Sequence, residues 1–239
     1  MRNYKLEAIV IKKRNFAEKD RILTLFSKEK GKTEALAKGS RRPGSKLAPY
    51  SDLGTLARFY ISRTNSIDIV KEISPIFVPE GARGNFLRTQ KISYLLKFTD
   101  KIFEVDESHP KTYFVLKSAI QQICEREFQL TALVFLANCI DELGLEPELF
   151  VCQKCRRKIA SKEKVVFSPK VGILHRSCDA EGNPEILENE TKLLRLIFNS
   201  PYEKIVKAKV DEKIFGRSYQ SLLKFVEWHF GKVLPEGAM

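Results

Sequence analysis

Apolar and polar residues alternate in short runs along the first third of the chain, with turn-forming residues between the runs. Residues 5–14 and 21–26 are rich in β-branched and aliphatic side chains, and a turn at residues 29–32 precedes a third run at 33–38. The segment FYISRTNSIDIVKEI alternates on both sides of residues 64–66, which is typical of a β-hairpin. Five short strands of this kind predict a small barrel of the OB type.

The spacing of the apolar residues changes after this region, which we expect Pro75 and Pro79 to end. In the segment NFLRTQKISYLLKFTDKIFEV they recur at the three- and four-residue intervals of a helix. Ser108 followed by Pro110 is a helix start, and a third predicted helix ends at Gly144.

Two more helical segments lie beyond a stretch that contains three of the five cysteines: KLLRLIFNS before Pro201, and IFGRSYQSLLKFVEWHF before Gly231. The sequence therefore predicts an α+β multidomain protein. We expect an N-terminal OB-fold β-barrel at residues 1–80 and a C-terminal α-helical domain at 81–239. The helical domain is interrupted at about residues 150–180 by the cysteine-containing segment, called the cysteine module below.

The net charge of +12 is unevenly distributed. Residues 1–80 carry 17 Lys and Arg against 9 Asp and Glu, and the cysteine module carries 8 against 2. Two basic blocks separated by a neutral region favour a polyanionic partner, most often nucleic acid. The apolar run at residues 8–11 is too short for a signal peptide or a membrane span, so we expect a cytosolic protein with no membrane partner.

Three cysteines and a histidine form two close pairs in the cysteine module: Cys152 with Cys155, and His175 with Cys178. Two residues separate the members of each pair, so each pair can curl around one ion, and two pairs fill the tetrahedral shell that zinc prefers. Thiolate and imidazole donors suit Zn²⁺ better than Ca²⁺ or Mg²⁺. The pattern predicts one structural zinc ion per chain. The alternative is a set of free thiols with a surface histidine.

The other residues near these pairs fit the same interpretation. Residues 165–167 and 172–174 are apolar and can form two short strands that join the pairs as a ribbon. Cys124 and Cys139 lie on apolar helical stripes and are predicted to be small core residues. An odd number of cysteines in a reducing compartment argues against a disulfide framework.

Residues 38–46, called the basic loop below, carry four cations and no acidic residue: Lys38, Arg41, Arg42 and Lys46. Glycines in this loop let the backbone approach a phosphate, which arginine can bind through two N–H groups. The cysteine module has cations of its own, here called the module cations: Lys154, Arg156, Arg157, Lys158, Lys162 and Lys164. The basic loop and the first four module cations are candidate DNA-binding residues. The alternative is that they are ordinary solvated side chains.

Aromatic side chains near the basic loop are candidates for stacking on bases, as in other OB barrels that bind single strands: Phe16, Tyr50, Phe59 and Tyr60. Neighbouring residues of a strand point to opposite faces. Only one of Phe59 and Tyr60 can therefore lie in a binding groove, and the sequence does not decide between them.

The segment EAIVIKKRNFAEKDRILTLFSKEKGKTEALAKGSRRPGSKL resembles the N-terminal block of the bacterial RecO recombination mediator family. The matching positions are an acidic element, a strand, a Gly-Lys turn and a basic loop: Glu18, Asp20, residues 22–26, Gly31, Lys32, Lys38, Gly39, Arg41, Arg42 and Ser45. The resemblance continues through the helices to NCIDELGLEPELFVCQKC at the entry to the cysteine module. The chain departs from the family at Ala17, where glycine is usual, and at His175, where zinc-bearing members commonly have cysteine.

The resemblance implies an OB-fold domain, a helical domain and an inserted zinc module in a repair protein that is not an enzyme. It further implies binding of single- and double-stranded DNA, annealing of complementary strands, and pairing with RecR to help load RecA. It also implies binding of the acidic C-terminal tail of the single-strand binding protein. That tail needs an apolar pocket with a cationic rim, for which the candidates are Arg195, Lys209, Lys213 and Arg217.

Two other function classes compete with this interpretation, and the residues argue against the first, an enzyme. A zinc nucleic-acid deaminase requires His-x-Glu upstream of Pro-Cys-x-x-Cys, whereas His109 is followed by Pro110 and Lys111. No phosphate-binding glycine loop or serine nucleophile motif is present in the sequence either. An RNA-binding or ribosome-associated protein is consistent with an OB barrel and a zinc ribbon, and composition does not exclude it.

Overall fold

The computed structural model of the 239-residue chain describes residues 3–82, 84–125, 128–205 and 210–232. The chain divides into two compact units, one built on residues up to 126 and the other on residues 127–233. The first unit combines a β-barrel with two helices. The second combines further helices with the cysteine module.

Five strands form the barrel: β1 (Asn3–Phe16), β2 (Asp20–Ser27), β3 (Gly31–Ala37), β4 (Leu56–Ser62) and β5 (Asp68–Phe77). Their order around the closed barrel is β1-β2-β3-β5-β4. Neighbouring pairs are antiparallel except for a short parallel contact between β3 and β5. A small five-stranded barrel of this kind is the OB architecture, so the predicted fold of the N-terminal region is confirmed.

Inward-pointing residues of all five strands fill the barrel, and Phe59 is the largest of them, with no exposed surface. Several alanines of the same core, among them Ala8 and Ala57, leave room for its ring. Tyr60 is half-buried on the opposite face of β4, and the ammonium of Lys5 lies 5.0 Å from its ring centroid. The structure therefore decides which of the two aromatic residues a ligand could reach: it is Tyr60.

Strand β5 includes Pro75 and ends at Phe77, before Pro79, which agrees with the end of the barrel region expected at these two prolines. Pro75 pairs with Ala57, next to a shift in the register between β4 and β5. The parallel contact of β5 with β3 involves only Asp68 and Ile69. Proline has no N–H to donate, and it is tolerated in a strand where the ladder is irregular and only one side is paired.

Two helices complete the first unit: α1 (Phe86–Ile102) and α2 (Pro110–Glu125). Asn85 caps α1 by accepting a hydrogen bond from the backbone N–H of Arg88, and α2 begins at Pro110 as predicted. The helices pack against the barrel: the rings of Phe103 and Phe26 are 5.7 Å apart.

The second unit contains four described helices: α3 (Phe128–Glu142), α4 (Glu188–Phe198), α5 (Tyr202–Ile205) and α6 (Glu212–Phe230). Between α3 and α4 lies a three-stranded sheet: β6 (Val165–Ser168), β7 (Gly172–His175) and β8 (Glu185–Ile186). Strand β6 is central, with β7 and β8 on its two sides. The first two strands match the predicted ribbon, and β8 is an addition that the sequence did not reveal.

The sheet packs on α6, where the rings of Phe167 and Phe225 lie 6.2 Å apart. At Gly172 the backbone has a φ of 95°, and a Cβ there would lie 2.4 Å from the carbonyl oxygen of Glu148. Only glycine permits this approach. It lets the N–H of Ile173 donate to Glu148 O at 2.8 Å, which ties the start of the cysteine module to β7. Among the described residues, no helix is both long and apolar enough to cross a membrane.

Candidate metal centre and nucleic-acid interface

The four side chains of the two predicted pairs meet at one point of the cysteine module. The sulfur atoms of Cys152, Cys155 and Cys178 and a ring nitrogen of His175 all lie within 4.8 Å of one another. The nitrogen that faces the sulfurs is Nδ1, which is 3.3 Å from Sγ of Cys155. A group this compact can hold one metal ion.

A tight hairpin builds the first pair. The N–H of Cys152 donates to Arg157 O at 2.9 Å, and the N–H of Arg156 donates back to Cys152 O at 2.8 Å. Arg156 has a φ of 61°, the left-handed conformation that closes the turn. The turn brings Cys155 back beside Cys152. The two-residue spacing noted in the sequence is thus the length of this turn.

The second pair forms where strand β7 ends. His175 is the last residue of β7, and a single 3₁₀ turn, Arg176–Cys178, follows it. This turn folds Cys178 towards His175, whose backbone N–H also faces Sγ of Cys152 at 3.5 Å. The two pairs are thus joined through the β6–β7 ribbon.

The surroundings of the thiols favour thiolates. Burial raises the pKa of Cys152, but backbone N–H groups of Cys155, His175 and Lys154 outweigh burial and lower it overall. The backbone N–H and the side chain of Arg157 lower the pKa of Cys155 to about 6. Because the thiolate is the form that ligates metals, these contacts suit a metal centre.

The structure adds one residue that sequence reasoning missed. The second ring nitrogen of His175, Nε2, lies 3.2 Å from a carboxylate oxygen of Glu163. In the sequence Glu163 is one acid between two lysines of a basic stretch, so it carried no visible signal.

The module cations are exposed, but they are not equivalent. Lys154 and Lys158 are exposed and form no ion pair with a described residue. Arg156 is exposed and donates to the side chain of Gln153 at 2.8 Å. Arg157 is exposed as well, and it differs in its effect on the cluster, since it lowers the pKa of Cys155. All four predicted cations therefore face solvent, and Arg157 also stabilises the thiolate form of Cys155.

The basic loop follows β3 and is anchored on the turn between β1 and β2. The backbone N–H of Gly39 donates to the Asp20 carboxylate at 2.7 Å, and the N–H of Arg41 donates to Lys19 O at 2.9 Å. Gly39 has a φ of 67°. A Cβ at Gly39 would lie 3.3 Å from Cδ of Arg42, so this glycine also leaves space for the arginine stem. Asp20 thereby fixes the path of the loop.

The four cations of the basic loop point into solvent. All of them are exposed, and none pairs with an acidic residue in the described part of the chain: Lys38, Arg41, Arg42 and Lys46. Most lysines and arginines that the barrel strands present do have such partners, for example Lys12 with Asp100 at 2.8 Å. A group of unpaired cations on an anchored loop is a suitable surface for phosphate.

Ala17 lies in the same turn between β1 and β2. Its φ is 50°, in the left-handed region where glycine has no steric penalty. Its carbonyl oxygen accepts a hydrogen bond from the Arg41 side chain at 3.4 Å. The turn conformation explains why glycine fits here, and alanine keeps that conformation at a cost in strain.

A second cationic surface of the barrel was not predicted. Lys5, Lys30, Arg58 and Arg63 line a cavity of about 600 Å³ together with Tyr4, and two acids, Glu7 and Glu29, also border it. The ammonium of Lys30 lies 3.8 Å from the centroid of the Tyr4 ring. Lys5 and Arg58 lie on the paired strands β1 and β4. Arg63 follows β4, and Lys30 lies in the turn between β2 and β3. These cations are far apart in sequence, so a composition count cannot show that they meet.

The four candidate stacking residues differ in how far their side chains are exposed. Phe59 is inside the barrel, and Tyr50 packs against the edge of the same core. Phe16 is 45% exposed at the end of β1, beside the turn that anchors the basic loop. Tyr50 is half-buried, as is Tyr60, so Phe16, Tyr50 and Tyr60 are the three that a nucleic acid could reach.

The candidate rim of a peptide pocket is only partly free. Arg195 donates to Leu149 O from Nε at 2.9 Å, and Arg217 pairs with the buried Glu190. Lys213 is exposed, and Lys209 lies outside the described residues. Two of the four candidates thus already hold the second unit together.

The fold and the site define a class of protein: one that combines an OB barrel, which carries the exposed basic loop, with a helical region that holds a Cys₃His cluster. The model described as "Recombination protein O N terminal" matches residues 1–78, and "Recombination protein O C terminal" matches residues 83–236. The chain therefore belongs to the RecO family. This membership supports a role in DNA repair and recombination.

Individual relatives of the chain support the same family assignment. The chain is 30% identical over 199 residues to the DNA repair protein RecO of Bacillus cereus strain B4264, covering 82% of this chain and 79% of that protein. It is 29% identical over 199 residues to that of Bacillus mycoides, with the same coverage. For Desulfitobacterium hafniense strain DCB-2 the identity is 28% over 181 residues, covering 75% of this chain and 66% of the relative.

Proposed function

We propose that this protein is a recombination mediator that works by binding DNA and not by catalysis. It binds single- and double-stranded DNA, anneals complementary strands and, with RecR, helps load RecA onto DNA coated with single-strand binding protein. Family membership supports the repair role. The observation that carries the DNA-binding proposal is the basic loop: four exposed cations without acidic partners among the described residues, on a loop held by Asp20.

The proposed mechanism is electrostatic. Two DNA strands repel each other through their phosphates, and lysine and arginine side chains that bind those phosphates release counterions and lower the repulsion. Bases of the two strands can then pair. Arginine can hold one phosphate through two N–H groups, which fixes the backbone without reading the sequence.

We assign DNA contacts to both basic blocks. The proposed residues are Lys38, Arg41, Arg42, Lys46, Lys154, Arg156, Arg157 and Lys158. Arg157 also stabilises the thiolate of Cys155. In this proposal residues 1–80 form the DNA-binding domain, and residues 81–239 form a helical domain interrupted by the cysteine module. The cavity around Tyr4 extends the cationic surface of the barrel.

The metal in this proposal is one structural Zn²⁺ per chain, bound by Cys152, Cys155, His175 and Cys178. The donor set of three sulfurs and one imidazole fits zinc chemistry. Four protein ligands fill a tetrahedral shell, so the ion would hold the hairpin and the β6–β7 ribbon together and leave no position for a reacting water.

The proposed protein partners are RecR and the acidic C-terminal tail of the single-strand binding protein, with RecA as an indirect partner. Such a protein would act in the cytoplasm at the nucleoid. Titration with the tail peptide tests the second partner, and loss of measurable binding at high peptide concentration would remove it. RecR binding is tested by co-elution from a sizing column at low salt.

Strand annealing on DNA coated with single-strand binding protein tests the function directly. We expect Arg41→Glu with Arg42→Glu to abolish most annealing, and a separate Lys154→Glu, Arg156→Glu, Lys158→Glu variant to weaken it. Lys158 replaces Arg157 in this design because Arg157 lowers the pKa of Cys155, one of the proposed metal ligands.

The matched control for the loop variant is Lys71→Glu with Lys97→Glu, two exposed lysines outside both groups that change the net charge equally. Equal annealing by the loop variant and this control would contradict the proposal. Competition between RNA and single-stranded DNA belongs to the same experiment. A strong preference for RNA would instead favour an RNA-binding protein.

A further inference from the structure

The ring of His175 is held between two partners on opposite sides. Nδ1 faces the sulfur of Cys155 at 3.3 Å, and Nε2 faces a carboxylate oxygen of Glu163 at 3.2 Å. A neutral imidazole has one nitrogen with a free lone pair and one N–H. Glu163 offers a carboxylate oxygen, which only accepts, so Nε2 carries an N–H towards it. With a metal ion bound among the sulfurs, Nδ1 would then be the nitrogen whose lone pair faces the ion.

Glu163 is itself fixed in place. The same carboxylate oxygen accepts a hydrogen bond from the backbone N–H of Ala160 at 2.7 Å, which closes a short turn. The next residue, Lys164, accepts a hydrogen bond at its carbonyl oxygen from the N–H of Arg176, at 2.9 Å. Both ends of this short segment are thus tied, so the carboxylate is positioned before any metal binds.

We propose that Glu163 is a positioning residue of the metal centre, which accepts the Nε2–H of His175 and so turns Nδ1 towards the ion. This inference rests on metal binding by the four residues proposed above. A histidine ligand has a ring that can rotate and a proton that can sit on either nitrogen. A fixed acceptor on one nitrogen removes both freedoms, and such acceptors are a general feature of histidine ligands in metal sites.

The role proposed for Glu163 depends on the histidine at position 175. A cysteine ligand has no ring to orient and no second nitrogen to satisfy, so a site with four cysteines has no use for an acceptor here. Histidine at this position needs one. Glu163 then belongs with His175 as a pair, and its effect on the metal should vanish if the histidine is replaced by cysteine.

Zinc affinity of the full chain, measured by competition with a chromophoric chelator, tests this. Loss of a partner of this kind typically weakens metal binding about 10- to 100-fold, so we expect Glu163→Ala to show a loss in that range. Glu163→Gln should lose less, because its amide oxygen still accepts the N–H. The control is Glu181→Ala, a carboxylate next to the end of the cysteine module, which pairs with Lys170 and makes no described contact with the cluster.

The deciding comparison repeats Glu163→Ala in a His175→Cys background. We expect no further loss of zinc affinity there. Two results would overturn the proposal: unchanged affinity in the His175 protein, or an equal loss in both backgrounds, which would mean that Glu163 acts only through its turn with Ala160.

Cobalt substitution separates this failure from a failure of the metal site. The thiolate-to-cobalt absorption should indicate three sulfur ligands in the natural chain and four with His175→Cys, and Glu163→Ala should leave the count at three. If the natural chain takes up neither zinc nor cobalt, the metal centre itself is wrong. If it takes up both ions and Glu163→Ala binds them equally well, only the role of Glu163 is wrong.

Discussion

The barrel and the cysteine module both present cations to solvent, but they are made rigid in different ways. The barrel encloses a continuous core of 12 buried residues and closes its strands into a ring. The strands of the module are four, four and two residues long, and few buried apolar side chains support them: Val165, Val166, Phe167, Ile173 and Ile186.

The difference teaches what each region needs. A closed barrel satisfies its own backbone and buries enough apolar surface to hold a loop such as residues 38–46 in place. A segment of roughly 30 residues cannot usually build a sufficient core, and a metal often replaces it. In the barrel, hydrophobic burial holds the cations in place. In the cysteine module, we expect the proposed metal and its ligands to do so.

The largest expected effect is the unfolding of the cysteine module, but not of the barrel, when the proposed metal is removed. Chelation, or Cys152→Ser, should unfold the cysteine module, because structural zinc contributes on the order of 10 kcal/mol to small zinc-dependent folds. Hydrogen exchange should show lost protection at the N–H groups of Cys152 and Arg156, with the barrel amides unchanged. Cys124→Ser, outside the cluster, is the control. Retained protection in the module after chelation would show that its core is sufficient alone.

The next largest effect is a loss of barrel stability when its core is disrupted. Phe59→Ala should destabilise the barrel by about 3–5 kcal/mol, because it removes the largest side chain of a closed core. Tyr60→Ala, one residue away on the outer face, should cost far less and should weaken binding of single-stranded DNA if its ring stacks on a base. Urea denaturation followed by circular dichroism measures the first effect. Similar losses of stability from both variants would contradict the assignment of the two faces.

A smaller effect concerns the anchor of the basic loop. Asp20→Ala removes a hydrogen bond from the Gly39 N–H to a charged acceptor, which is typically worth about 1.5 kcal/mol or more of stability. Affinity for DNA should fall as well, although Asp20 is acidic and its loss makes the protein more basic. Glu18→Ala changes the net charge equally and is the control, since Glu18 is exposed. Tighter DNA binding by both variants would show that Asp20 acts only as a repulsive charge.

The smallest effect is a gain in stability. Ala17→Gly relieves a left-handed backbone conformation, and the unfolded glycine chain offsets part of that gain. We expect a rise of about 0.5–1 kcal/mol in the free energy of unfolding of the barrel, measured by urea denaturation. Ala35→Gly, at a residue of β3 inside the core, should instead lower stability. A loss from Ala17→Gly would mean that the turn does not strain alanine.

Much of this architecture could be predicted from local pattern. The alternation of apolar residues gave the barrel strands, and paired spacings identified the four residues of the Cys₃His cluster, because a two-residue gap is a local property of a turn. The three- and four-residue spacing of apolar residues, with helix start and stop residues, predicted the helical region that follows. The two prolines marked the end of the barrel region, but the place of Pro75 inside β5 depends on an irregular ladder with β4, which is a property of pairing and not of the strand alone.

What the sequence did not reveal depends on contacts between distant positions. Strand β8 has two residues and no pattern of its own, and Glu163 looks like one acid in a basic run until the fold places it against His175. The cavity around Tyr4 likewise forms from cations that are far apart in the sequence. The effect of Arg157 on the pKa of Cys155 depends on the hairpin and is not visible in the spacing of the cysteines.

The most direct test of the central claim is the salt dependence of binding to a single-stranded oligonucleotide, measured by fluorescence anisotropy. If the four basic-loop cations each bind a phosphate, the logarithm of the association constant should fall with the logarithm of salt with a slope of about −2.8 or steeper. Arg41→Glu with Arg42→Glu should make that slope shallower by about 1.4 and weaken binding. A slope near zero, or one that this double substitution leaves unchanged, would contradict the account.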